Sequence, residues 1–175
     1  MPQKSIPSNR SIRRRRQGGN ALLESVFTIL PTFALIFAFV DFGLMIFRWA
    51  TLENAVREGC RYAITFQTSG SLGQDASIEA VVQQYAMGMV TTTDTPQHIF
   101  VNYYAPTNLT TPIPFASGGN VPGNVVEVSV QNVSFSWLAP LSGTFTGNSR
   151  SPLGLNVYSS DMMNGYPAGV NSVQR

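Results

Sequence analysis

The chain has 175 residues, enough for one domain and an anchor, and only 11% of them are charged, against about 25% in a soluble globular protein. The formal charge of +2 is split: Lys4, Arg10 and Arg13–Arg16 give +6 before residue 20, while five bases and nine acids follow, a net charge of −4. The basic character belongs to a short tip without interleaved aromatics, which argues against nucleic acid as a partner. A lone Cys60 excludes an intramolecular disulfide, and with a single His98 it excludes a His/Cys metal cluster, so no cofactor or metal is expected.

Residues 1–19 read as a basic, Gly-terminated leader without regular structure. From Ala21 to Phe47 the chain is apolar apart from Glu24 and Asp41. The uncharged stretch 25–40 alone spans roughly 24 Å as a helix, and extension to Phe47 exceeds the ~30 Å hydrocarbon core of a bilayer. Residues 20–47 are therefore predicted to form a transmembrane helix. A cleaved secretory signal would show a shorter apolar core and a small-x-small step, and Phe39-Val40-Asp41-Phe42-Gly43 offers none. The arginines set orientation: residues 1–19 in the cytoplasm, the C-terminal part outside.

Beyond Phe47 the pattern becomes amphipathic. Leu52, Ala55, Val56, Gly59, Ala63 and Phe66 fall on one helical face, and Glu53 precedes Arg57 by four. The helix is thus predicted to continue over 48–66 and to pack its apolar stripe on a head formed by 67–175. In that head Asp75–Val90 reads as a second helix, His98–Tyr104 as a strand, 105–123 as a Pro/Gly-rich loop, and Leu153–Tyr158 as a further strand. Val126, Val128 and Val130 alternate on even positions and Val133, Phe135 and Trp137 on odd ones, which predicts a strand with a bulge near Gln131 and Asn132. Leu138–Pro152 reads as a turn-rich link and the tail from Met162 as loose. The fold class is α+β: a membrane-spanning helix continuing into a small extracytoplasmic head with a second helix and a short antiparallel sheet.

Two segments carry functional information. Gly18-Gly19-Asn20-Ala21-Leu22-Leu23-Glu24 lies where the basic tip meets the apolar run. It resembles a type IV prepilin processing site, which implies cleavage between Gly19 and Asn20 and places Glu24 fifth in the mature chain. A carboxylate inside a bilayer costs several kcal/mol unless partnered or near the interface. Glu24 has two readings: it meets the new α-amino group of its own or a neighbouring chain, or it reaches the headgroups. Farther on, Asp41-Phe42-Gly43 and the stretch Arg57-Glu58-Gly59-Cys60-Arg61-Tyr62-Ala63 resemble the TadE-like family, over roughly residues 18–63.

That resemblance implies a pilin-like minor pilin or pseudopilin of the tight-adherence (Flp-type) pilus machinery, held in the bacterial inner membrane with its head in the periplasm. It further implies a prepilin peptidase, other pilins, inner-membrane assembly proteins and lipid as partners. No catalytic constellation accompanies it, and the expectation is a non-enzyme. The alternative is an uncleaved, single-pass adhesin or binding module whose head uses Tyr103, Tyr104, Phe115, Trp137 and Tyr158. Other residues keep two readings each. Pro31 kinks the helix or is merely tolerated; Gly43 and Gly59 permit close helix contact or fit locally. Arg57, Glu58 and Arg61 form a solvated face or a partner site, and Cys60 is a packed thiol or an intersubunit disulfide.

Overall fold

The structure is a computed structural model that describes residues 10–137 and 152–175, with side chains from residue 20 onward. Its elements are α1 (Arg10–Ile64), α2 (Gln74–Tyr85), β1 (Ile99–Tyr104), a 3₁₀ turn (Phe115–Ser117), β2 (Val125–Phe135) and β3 (Leu153–Met162). The three strands form one antiparallel sheet in the order β1-β2-β3. The fold is α+β as the sequence predicts, with a long apolar N-terminal helix, a second helix and three antiparallel strands. The predicted link at 138–151 lies outside the described residues. Two compact units result, one containing α1 up to Phe42, the other made by 43–137 and 152–175.

In the first unit α1 starts at Arg10, inside the stretch read as an irregular leader. Arginine is a good helix former and no proline follows until Pro31, so nothing but Gly18 and Gly19 opposes helix there. Pro31 sits inside the helix, where its ring nitrogen has no hydrogen to give the Phe27 carbonyl. Three hydroxyls on this greasy surface return their hydrogen bonds to the helix itself: Ser25 to the Ala21 carbonyl at 2.8 Å, Thr28 to Glu24 at 3.0 Å and Thr32 to Thr28 at 2.7 Å.

In the second unit the C-terminal part of α1 is a core element. Leu52, Ala55, Val56, Gly59, Cys60 and Ala63 are buried, as is Phe66 just past the helix. They pack with Ile78 and Val82 of α2, Ile99, Val101 and Tyr103 of β1, Val126, Val128 and Val130 of β2, and Leu155 and Val157 of β3. The end of α1 is satisfied from elsewhere in the chain: the buried Gln74 side chain donates to the Ala63 carbonyl at 2.9 Å and the Asn164 amide to Ile64 at 3.3 Å. Helix α2 stops at Tyr85, short of the predicted Val90, because Met87 and Gly88 both turn left-handed (φ 53° and 79°).

Strand β2 carries its bulge where the alternation changes phase. The register with β3 shifts between Val130 and Val133, and Asn132 has φ 59°. Its amide is taken by the Asn156 side chain at 2.7 Å, and the Gln131 amide by the His98 carbonyl at 2.8 Å. Asparagine tolerates the left-handed conformation better than a β-branched residue would.

The segment after Met162 departs from expectation, for it is fastened rather than loose. Met163 is buried and exchanges backbone hydrogen bonds with Asn124 and Gly123. The Tyr166 ring lies 4.5 Å from that of Phe66. Asn120 donates to the Val173 carbonyl and to the Gln74 side chain, and the Gln74 amide donates to Gln174 at 2.8 Å. Arg175 completes the attachment with an ion pair to Asp75 at 2.8 Å and its guanidinium between the rings of Tyr103 and Phe115, 4.6 and 5.0 Å away. Tyr103 also donates to Asp75 at 2.8 Å. Burial, together with that carboxylate, pushes the Tyr103 hydroxyl well above the usual tyrosine range.

Candidate functional site

The surface of α1 from Asn20 to Phe47 is the candidate site, because its chemistry is at odds with water. Phe27 is 78% exposed, Phe39 69% and Leu22 71%, and the same holds for most of the large apolar side chains between them. Exposed apolar patches on soluble monomers stop at a few hundred Å². At about 25 cal/mol per Å², a continuous sleeve of such side chains in water would cost more than a small domain's entire stability. The helix is long and apolar enough to span a bilayer. The back-bonded Ser25, Thr28 and Thr32 fit that setting, since a hydroxyl in hydrocarbon must find its partner within the protein.

At the head of this sleeve the Gly19–Asn20 bond lies within α1. Gly18 and Gly19 each lower helix stability by about 1 kcal/mol relative to alanine, so local unwinding at this bond is easy. Glu24 is exposed one turn beyond Asn20, on the same face, in a shallow depression with Ala21, Ser25, Thr28 and Ile29. Its carboxylate therefore points out of the chain, at an apolar level of the helix.

The second cluster of sequence-derived residues separates on inspection. Asp41 is buried, 2% exposed, whereas Phe42 is exposed and Gly43 open. A Cβ built on Gly43 meets nothing within 4 Å, so nothing among the described residues requires glycine there. Gly59 is the opposite case: a Cβ would stand 2.5 Å from a Val82 methyl, so α2 rests directly on the α1 backbone. Arg57 pairs with Glu53, and Arg61 with Glu58 at 3.2 Å, both arginines remaining largely in solvent. Glu58, Arg61 and Tyr62 also line one wall of an open polar groove whose other wall is Val81, Gln84 and Tyr85 of α2. The motif thus mixes three packing residues, Gly59, Cys60 and Ala63, with an exposed charged face. Cys60 is a buried free thiol.

Sequence reasoning overlooked the three back-bonding hydroxyls, whose signal is Ser and Thr spaced three and four apart in an apolar run. It also overlooked Arg175, whose partner Asp75 lies 100 residues away with no local sign.

Comparison with known proteins gives one result. The family model described as TadE-like protein matches residues 19–61, or 43 of the 175 residues, beginning at Gly19 and ending at Arg61. No curated protein and no solved structure matches the chain.

Proposed function

We propose that this chain, TadE-like over residues 19–61, is a membrane-anchored minor pilin or pseudopilin that acts in assembling a tight-adherence (Flp-type) pilus. In this reading a prepilin peptidase cuts between Gly19 and Asn20, the arginine-rich leader stays in the cytoplasm, and the head stands in the periplasm. Other pilins and the inner-membrane assembly proteins are its partners.

The observation that supports this best is the exposed Glu24 on an otherwise apolar helix, one turn from Asn20. A charged carboxylate at that level is costly in lipid unless a partner or the headgroup layer reaches it, and a cation is the strongest such partner. Cutting after Gly19 creates such a cation, the α-amino group of Asn20. The amine of the same chain or of a neighbour then neutralises Glu24, so that leader removal and lateral docking become one event. The family match, which begins at the same glycine, supports the same reading.

Mass spectrometry of the membrane form tests it. The expected mature chain begins at Asn20 and lacks the first 19 residues. Gly19→Ala should slow cutting, while Glu24→Ala should leave cutting largely intact and impair incorporation into pili. Mature material that retains Met1 would overturn the processing.

A further inference from the structure

The three-stranded sheet is three-stranded over only part of its length. β1 pairs with β2 from Val125 to Val130, whereas β2 and β3 continue beyond the bulge through Val133–Leu155, Ser134–Gly154 and Phe135–Leu153. The far end is a two-stranded ribbon, a form that is marginal in water unless its apolar surface is covered. It carries the buried Phe135, the 40%-exposed Leu153 and, two residues past Phe135, the half-buried Trp137, whose ring meets Phe135 edge-on at 5.3 Å.

Helix α1 meets the ribbon at one particular level. The Arg48 guanidinium lies over the Phe135 ring at 5.3 Å. Trp49, 46% exposed, lines a groove with Glu53 of α1 and with Asn156, Val157 and the 74%-exposed Tyr158 of β3. Arg48 and Trp49 directly follow the exposed Leu44, Ile46 and Phe47, the last residues of the apolar run. Cation and aromatics from three elements are therefore gathered where the greasy part of α1 ends. Tryptophan, tyrosine and arginine are the side chains that settle at the headgroup level of a bilayer.

Charge agrees. No Asp or Glu occurs in 43–49, 133–137 or 152–155, while Asp161 and Glu127 lie toward the opposite end of the β2–β3 pair, Asp161 opposite Val126. The carboxylate that lines the Trp49 groove, Glu53, is taken up in its ion pair with Arg57, so a phosphate-rich surface meets no uncompensated carboxylate in that groove.

We propose that the ribbon end of the head, where Arg48, Trp49, Trp137 and Leu153 surround the buried Phe135, is a lipid-docking surface that seats the head in the headgroup layer. It rests on the reading of α1 as a membrane anchor. The apolar stretch 44–47 leads directly into this surface, which favours lipid over a protein occupant.

The test uses the chain's two tryptophans, Trp49 and Trp137, which intrinsic fluorescence reads directly. The full chain is reconstituted in phosphatidylcholine–phosphatidylglycerol vesicles containing phosphatidylcholine brominated either just below the headgroup or near the chain end. W137F isolates Trp49, and W49F isolates Trp137. W49F exchanges one half-exposed aromatic for another and leaves the Phe135–Trp137 contact in place. Both tryptophans should lose emission, and both should lose more to the shallow bromines. Quenching of Trp49 with Trp137 untouched would overturn the docking while keeping the anchor. Trp49 untouched would overturn the anchor and the docking with it. Trp137 shielded from aqueous iodide yet unquenched by either lipid would assign the surface to a protein and overturn the lipid occupant.

Discussion

Two glycines on one helix divide the roles of α1. Gly59 is fixed by this chain's own packing. Alanine there would press a methyl into Val82, a stiff β-branched side chain between two elements, and overpacking of this kind costs about 1–3 kcal/mol. Gly59→Ala should therefore lower the melting temperature of the head. Gly43→Ala meets only open space and raises helix propensity, so the head should melt unchanged or slightly higher. If Gly43→Ala nevertheless reduces incorporation into pili, that loss reports a second chain packing against the exposed Phe42–Gly43 surface. Equal thermal effects from the two substitutions would contradict this division.

At the scale of elements, the strands were readable and the C-terminal strap formed by residues 163–175 was not. Period-two alternation of Val126, Val128 and Val130, then Val133 and Phe135, encodes both β2 and its bulge, because an inserted residue must exchange odd for even if valines are to stay inside. The amphipathic stripe from Leu52 to Phe66 was legible for the same reason, as a 3.6-residue period with one buried face. Residues 163–175 have no such period: Met163, Tyr166 and Val173 are irregularly spaced, and what fastens them is polar and distant. The end of α2 was misjudged because Met87 takes the left-handed conformation, for which methionine gives no warning.

The strap makes its own prediction. Arg175 and Asp75 are 10% and 18% exposed, and removing one member of so buried a pair costs on the order of 3 kcal/mol. Arg175→Ala should destabilise the head by about that much, measured by denaturant unfolding. Alkali should act on the same place. The Tyr103 hydroxyl titrates above its ordinary value of 10.0 in the folded head, so its contribution is complete below that pH. It is lost as pH rises further, because the unfolded chain gives up the proton first. Stability should therefore fall above about pH 10, and Tyr103→Phe should flatten that fall.

For the whole molecule, the sequence makes plain that there is an anchor and a head, because a charge-free run and a charge asymmetry need no tertiary knowledge. Six basic charges precede residue 20, and the orientation we propose rests on them. A periplasm-dependent reporter fused after Arg175 should be active, and replacing Arg13–Arg16 with glutamates should reduce or invert that activity. A reporter active only in the cytosol would be incompatible with pilus assembly. What the Glu24 carboxylate meets was not legible, since on the proposed reading its partner is an amine that exists only after cutting, or one from another chain.

The burial of Leu52, Val56 and Ala63 beneath the sheet has a practical meaning for anyone wishing to isolate the head. A fragment opening at Gln67 would include every strand yet lack the spine around which they condense, and would expose Val82 and Val128 where Gly59 had covered them. One opening near Arg48 retains that spine while shedding most of the grease, so the natural excision point lies upstream of the place where loops begin.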